Sequence, residues 1–262
     1  KYWSRAGIML TNQCNAACAS CYLCCSPEQQ QWMDVKMAVG VWSGLERLSP
    51  HGCRVHLTGG EPFLDWPRFM EILNAAAKED LHADSVETNG FWAKDDHVIR
   101  DRLLALDSAG VKRLSISADP FHQAFVPIHR VQLLAQQAEK LLGKQRIRVR
   151  WLDWLEQGQD VMNMCEDDRK RLQAEWIANG RDRINGRAAE TLAHLLPLQP
   201  AATFARQNCR EGLLRSRHIH IGPDGAVMPG VCAGLVLGYV YLSYEESIHN
   251  LWHTLRENFA SR

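Results

Sequence analysis

Apolar residues along this chain fall into short runs of period two, separated by longer stretches where they recur every three or four positions. The first pattern belongs to β-strands and the second to amphipathic helices. Strands are predicted at 6–11, 54–58, 83–88, 111–117 and 146–153, with a weaker sixth at 184–187. Helices are predicted at 36–48, 66–78, 95–109, 128–142 and 160–178. Such alternation implies right-handed βαβ units on a parallel sheet. About six units fall short of the eight that close a barrel. Beyond Ala188 the rhythm breaks. Residues 218–221 and 226–228 flank Gly222-Pro223-Asp224-Gly225, a strong turn signal, and read as a hairpin. A helix near 244–258 is expected to close the chain. The predicted class is α/β, with a core over 1–190 and a small hairpin-plus-helix extension over 191–262.

Composition supports this reading. The chain has 262 residues, 46% hydrophobic and 23% charged, enough for one sizeable core and an appendage. No apolar run approaches the ~18 residues that would suggest a membrane span, and residues 1–5 do not read as a signal peptide. The first residue is Lys rather than Met, so the natural N-terminus is expected to have been trimmed. Thirty basic and thirty acidic residues cancel, and no Lys/Arg block forms a phosphate-tracking strip. Neither a nucleic-acid nor a membrane partner is therefore expected.

The cysteines change the picture most. There are nine, and Cys14, Cys18, Cys21, Cys24 and Cys25 crowd one loop, while Cys53, Cys165, Cys209 and Cys232 are scattered. An odd count with one dense cluster in a long neutral chain suits a metal in a reducing cytoplasm, not a secreted disulfide framework. Cys14-Asn-Ala-Ala-Cys18-Ala-Ser-Cys21 follows the first predicted strand directly. Three thiolates on a short loop can hold one corner of a 4Fe-4S cluster and leave one iron open. A structural zinc would want four ligands, which Cys24 or Cys25 could complete. On that reading the chain is a non-catalytic zinc-binding interaction module.

Three further segments follow the next predicted strands, on the edge where parallel sheets bind ligands. They are Gly59-Gly60-Glu61-Pro62, Thr88-Asn89-Gly90 and Ser117-Ala118-Asp119. The glycines allow close backbone approach, and the polar side chains can reach ribose, ammonium or carboxylate groups. Singly, each is also an ordinary turn or helix cap. Together with the C-x3-C-x2-C loop they resemble the radical S-adenosylmethionine (radical SAM) superfamily over roughly residues 6–190. The resemblance implies a partial (βα)6 barrel and a 4Fe-4S cluster on Cys14, Cys18 and Cys21, with S-adenosylmethionine chelated by the open iron. Reductive cleavage of that cofactor would yield a 5′-deoxyadenosyl radical that abstracts hydrogen from substrate. Gly59, Gly60, Glu61, Pro62, Thr88, Asn89, Ser117 and Asp119 would then face the cofactor. A reductase, ferredoxin or flavodoxin would supply the electron. Ser20 departs from the pattern, since the position before the third cysteine is often aromatic; Tyr22 could compensate.

Other candidates follow from position. His122 lies near the same mouth and could move a proton. Arg148 and Arg150 alternate on strand five and so share a face, where they could bind a carboxylate of cofactor or substrate. Cys209, the Pro223-Asp224-Gly225 hairpin and Cys232 resemble a shortened SPASM/twitch-like extension of peptide- and protein-modifying radical SAM enzymes. There such cysteines hold a second Fe–S cluster. Gly230 stands where a ligand cysteine is common, and only Cys209 and Cys232 are local, with Cys165 as a further candidate. The alternative is a metal-free cap whose free thiol gives a hydrogen atom to a substrate radical. The expected substrate is a peptide or protein; the alternative is a small molecule of cofactor or natural-product biosynthesis.

Overall fold

The computed structural model describes residues 3–205, 216–230, 235–241, 243, 244, 246–251 and 253. The strands are β1 (Arg5–Thr11), β2 (Arg54–Gly59), β3 (Ser85–Thr88), β4 (Leu114–Ile116), β5 (Ile147–Val149), β6 (His218–Ile221), β7 (Ala226–Pro229) and β8 (Gly238–Tyr239). The helices are α1 (Val35–Leu48), α2 (Trp66–Ala77), α3 (Asp96–Ser108), α4 (Ile128–Leu142), α5 (Leu152–Gln157), α6 (Glu166–Ala178) and α7 (Arg187–Thr191). The strands form one mixed sheet in the order β5-β4-β3-β2-β1-β6-β7-β8. Pairing is parallel from β5 through β6 and antiparallel in β6-β7-β8.

The first three long helices, α1 to α3, begin where the sequence supplies an aspartate cap, whereas α4 and α6 start without a side-chain cap bond. Asp34 accepts from the Lys36 and Met37 amides, Asp65 from Arg68 and Asp95 from Val98. Their apolar stripes then pack on the sheet: Val41, Trp42 and Leu45 of α1, Phe69, Ile72 and Leu73 of α2, Ile99, Leu103 and Leu106 of α3, Val131, Leu134 and Ala138 of α4. Ala6, Ile8 and Leu10 of the central strand are wholly buried, as expected of a parallel strand with neighbours on both edges. The parallel strands curve: Arg148 on β5 and His218 on β6, from opposite ends of the parallel set, line one cavity. The α/β partial barrel is open, as predicted.

Two expected elements differ. No strand forms at 184–187; the chain there is irregular and enters α7 at Arg187. Gly186 adopts φ +57°, and a Cβ on it would lie 2.2 Å from the Tyr22 carbonyl oxygen. The segment is thus committed to the cysteine loop rather than to the sheet edge. The sixth parallel strand is instead β6, beside β1 in the register Arg5↔His218, Gly7↔His220. The strand expected at 146–153 contracts to β5 because the chain turns into α5, which buries Trp154 and Leu155. Trp154 Nε1 anchors that helix by donating to Gln123 Oε1 at 3.0 Å.

The hairpin forms as expected: β6 and β7 pair across the 222–225 turn, where Gly225 takes φ +82°. In the closing segment, Tyr244 and 246–251 are helical; the rest of the predicted helix, apart from His253, lies outside the described residues. No helix among the described residues is long and apolar enough to cross a membrane.

Candidate functional site

The cysteine loop leaves β1 and is held down on two sides. From below, Gly60 N donates to Thr11 O at 2.7 Å and Glu61 N to Gln13 O at 2.8 Å. A Cβ on Gly59 would sit 2.3 Å from Thr11 O, and one on Gly60 2.0 Å from Gln13 O. These glycines let the end of β2 dock against the start of the loop. From above, the Arg187 guanidinium donates to Cys18 O (2.9 Å), Cys24 O (2.9 Å) and Cys25 O (2.8 Å). Its own amide reaches Cys21 O at 3.0 Å. Thr191 Oγ1 adds a bond to Ala19 O at 2.9 Å.

Within this frame Cys14, Cys18 and Cys21 line one cavity of about 110 Å3 together with Gly59, Gly60, Thr88, Asn89, Ser117, His122 and Arg150. Cys14 and Cys18 are buried and Cys21 half-buried, and none is in a disulfide. Burial pushes the Cys14 thiol up to about 12 and Cys18 well above its ordinary value. Cys21 is pulled down to about 6, first by a hydrogen bond with the Cys25 thiol, then by loop amides and Arg187, against burial. Cationic iron would offset the cost of holding the first two as thiolates. Cys25 therefore brings a fourth thiol into the same cavity, whereas Cys24 is exposed at φ +57°.

The strand-end motifs are bound chiefly to each other. Glu61 is fully buried; it accepts from Asn89 N (2.7 Å), Thr88 Oγ1 (2.9 Å) and Phe63 N (3.1 Å). Burial pushes its carboxyl up to about 7 against those three donors. Pro62 opens a short tight helical turn, Pro62–Asp65, that carries Phe63 under Trp92, ring centroids 4.8 Å apart. Asn89 Nδ2 donates to Asn15 Oδ1 at 2.8 Å and lies 3.8 Å from Cys14 Sγ. Asp119, also fully buried, accepts from the Phe121 and His122 amides and meets His122 Nδ1 at 2.7 Å. Ser117 N donates to Thr88 O at 2.9 Å.

A second cavity of about 420 Å3 adjoins the first, sharing Ser20, Tyr22, Glu87, Ser117 and Arg150 with it. Arg148 and Arg150 both line it, as their spacing implied. Arg150 pairs with Asp182, which burial pushes up to about 6. Ser20 and Tyr22 stand at the junction of the cavities. Sequence reasoning missed Glu87, which accepts from Thr58 Oγ1 at 2.6 Å, and the Arg187 clamp. It also missed three histidines, His56, His218 and His220, that line the larger cavity. Cys165 is exposed at the start of α6. Cys209 and Cys232 lie outside the described residues, and with them the second-cluster and thiol-donor readings.

Residues 5–117 match the 4Fe-4S single cluster domain family. The candidate peptide-biosynthesis protein YydG of Bacillus subtilis (strain 168) is 25% identical over 142 residues, covering 53% of this chain and 43% of its own. A GTP 3′,8-cyclase of Rhodopirellula baltica is 32% identical over 130 residues, covering 47% of this chain and 33% of its own. The chain thus spans less than half the length of these curated relatives. In fold it is similar to BtrN in complex with AdoMet and 2-DOIA (TM-score 0.57, 17% identity, 100% of this chain and 85% of that one). It is also similar to native anSMEcpe with bound AdoMet and Cp18Cys peptide (TM-score 0.52, 15% identity, 95% and 79%).

Proposed function

We propose that this chain, a radical SAM-type protein by its cluster-domain match and its fold, cleaves S-adenosylmethionine reductively and generates a substrate radical in the larger cavity. One observation carries the reading. The three motif thiols open into a small cavity also lined by Gly59, Gly60, Thr88, Asn89 and Ser117 at the strand ends, and that cavity adjoins a larger one. Cys14, Cys18 and Cys21 would hold a 4Fe-4S cluster, and the donor set fits: three thiols on a clamped loop with polar, non-sulfur groups opposite. Bound there, cluster and cofactor supply an electron and a 5′-deoxyadenosyl group able to take a hydrogen atom from substrate.

The chain's own residues position the partners. Glu61 fixes Asn89 and Thr88, so their edge facing the loop is set before any ligand arrives. His122, held through Nδ1 by Asp119, lines the cavity. Arg148 and Arg150 give the larger cavity a cationic wall suited to an anionic group. The division into a core (1–190) and an extension (191–262) is part of this proposal and is functional rather than topological, since β6 to β8 prolong the same sheet.

A peptide or protein is the favoured substrate class, supported by the likeness to YydG and to a peptide-bound structure. A small molecule is the second reading, favoured by the likeness to BtrN over the whole of this chain. Anaerobic reconstitution tests the proposal: brown protein with four irons should release 5′-deoxyadenosine and methionine under strong reductant. A colourless, zinc-loaded protein inert toward S-adenosylmethionine, with Cys25 as fourth ligand, would overturn it. Hydrogen-isotope exchange into 5′-deoxyadenosine from peptides or from small polyols and amino acids then separates the two substrate classes.

A further inference from the structure

One wall of the larger cavity is built from histidine, with Tyr22 of the cysteine loop 6.1 Å from His220, ring centroid to ring centroid. On β6, His218 and His220 alternate with Ile219 and Ile221, so both rings leave the same face of the sheet while the isoleucines enter the core. On β2, His56 does the same between the buried Val55 and Leu57. Between these strands runs β1, in the register Gly7↔His56 and Gly7↔His220. The residue at the centre of the three rings is thus the one without a side chain. A Cβ on Gly7 would lie 2.3 Å from His220 Cδ2 and 2.6 Å from His56 Nε2. Gly230 clears the far side: a Cβ there would lie 2.6 Å from His218 Cγ.

The rings converge. Centroids are 4.6 Å apart for His218–His220, 5.2 Å for His56–His218 and 5.6 Å for His56–His220. One potential ligand nitrogen from each lies within 4.8 Å of the others. His218 Nε2 is buried without a hydrogen-bond partner, an arrangement that a folded protein seldom tolerates unless something occupies it. No carboxylate hydrogen-bonds the three rings among the described residues, so they are not the relay of an ordinary histidine–acid pair.

We propose that His56, His218 and His220 form a mononuclear divalent-metal site, separate from the cysteine loop, with a coordination position open to the larger cavity. Neutral imidazoles suit Zn2+ and its first-row neighbours, and three of them leave room for a water or an oxygen donor of substrate. Tetrahedral Zn–N bonds of ~2.0–2.1 Å place ligand nitrogens ~3.4 Å apart, which small rotations of the rings supply. An imidazole of ordinary basicity is already largely neutral at pH 7, so the ring lone pairs are available to a metal. Glu87 and Asp84 place negative charge near His56, while Arg5 near His56 and His218, and Arg183 near His218, oppose it, so the three imidazoles and not the surrounding charge would carry the binding. The open position shares its cavity with Arg148 and Arg150, so a carboxylate or phosphate oxygen of substrate fits both metal and wall.

The test uses the cluster-containing protein, equilibrated anaerobically with Zn2+ and freed of excess by gel filtration. One zinc per chain is expected beyond the cluster's iron, and its K-edge absorption should show nitrogen and oxygen neighbours with imidazole scattering and no sulfur. His218→Gln and His220→Gln should each weaken Zn2+ binding at least about tenfold while the cluster's visible absorption persists. Gly7→Ala keeps all three ligands but displaces their rings, and should weaken binding likewise. Retention of no zinc, zinc with sulfur neighbours, or unchanged affinity in both histidine variants would overturn the proposal. If the variants do not fold, the wild-type zinc spectrum decides alone. Failure of S-adenosylmethionine cleavage would leave every one of these outcomes readable.

Discussion

The two walls of the joined cavities are built by opposite rules. On the cysteine side nearly every polar group is already spoken for: Glu61 has three donors, Asp119 two amides and an imidazole, and Arg187 three carbonyls. On the far side His218 Nε2 has no partner, and Asp182, though paired with Arg150, leaves one buried oxygen unbonded. A wall whose groups bond one another is preorganised for one fixed ligand. A wall with unspent donors and acceptors is completed by what it binds. Under the proposed function, the fixed wall would handle the common cofactor and the open wall would select the substrate.

The hardest test of the fixed wall removes its purpose. Changing Cys14, Cys18 and Cys21 together to Ala should abolish both cluster binding and S-adenosylmethionine cleavage, read as iron content and 5′-deoxyadenosine release. Cleavage surviving at wild-type rate would mean that the loop is not the cluster site, and the contrast would fall with it.

Next in size is the clamp. Arg187→Ala frees three carbonyls in and around the loop and removes a cation that lowers the Cys18, Cys21 and Cys25 thiols. Charged hydrogen bonds contribute about 1.5–3 kcal/mol each and are not additive, so a loss of about 2–4 kcal/mol is expected. Urea unfolding measures it, and iron occupancy should fall with it. Arg187→Lys keeps the charge but not the fork, and should recover only part.

A smaller effect is expected within the strand-end network. Glu61→Gln places an amide NH2 where one carboxylate oxygen now accepts from Thr88 or Asn89. At least one buried donor would lose its acceptor, Asn89 N if the NH2 replaces Oε2 or Thr88 Oγ1 and Phe63 N if it replaces Oε1, costing about 1–3 kcal/mol. If stability is unchanged but cofactor affinity falls, Glu61 serves the ligand directly rather than through its neighbours.

How legible these walls were in the sequence differs for a physical reason. The fixed wall is written in short segments: a cysteine triplet, a Gly-Gly pair and two polar strand ends, each at the end of a strand that its own alternation reveals. What those glycines do was not legible, because Gly59 and Gly60 answer to Thr11 and Gln13, which the strand pairing brings alongside. Arg187 was lost inside a weak strand prediction; its partners lie far earlier in the chain and leave no local signal. The open wall was hidden by topology. His218-Ile219-His220 shows the period of a strand, but nothing local says that this strand pairs with β1 and so faces His56 across Gly7. Non-local parallel pairing is the property that residue patterns encode least.

The smallest effect concerns the Asp119–His122 pair of the fixed wall, where His122 lines the smaller cavity. Burial alone would push Asp119 up, but the charge and hydrogen bonds of His122 outweigh it and hold the carboxyl below its ordinary value. Burial would likewise push His122 down, and Asp119 outweighs it and holds the imidazole above. The carboxylate's contribution is full above its unfolded value of about 3.9 and is lost as pH falls through the depressed folded one. The imidazole's contribution is full below about 6.5 and is lost as pH rises through the raised folded one. The pair therefore stabilises most between roughly pH 4 and 6.5, and raising pH beyond that window should cost of the order of 1 kcal/mol. Anaerobic urea midpoints from pH 5.5 to 9 should decline in the wild type and flatten in His122→Asn. An unchanged slope in that variant would place the alkaline loss elsewhere. The pair would then be a rigid part of the fixed wall with no titration of its own in this range.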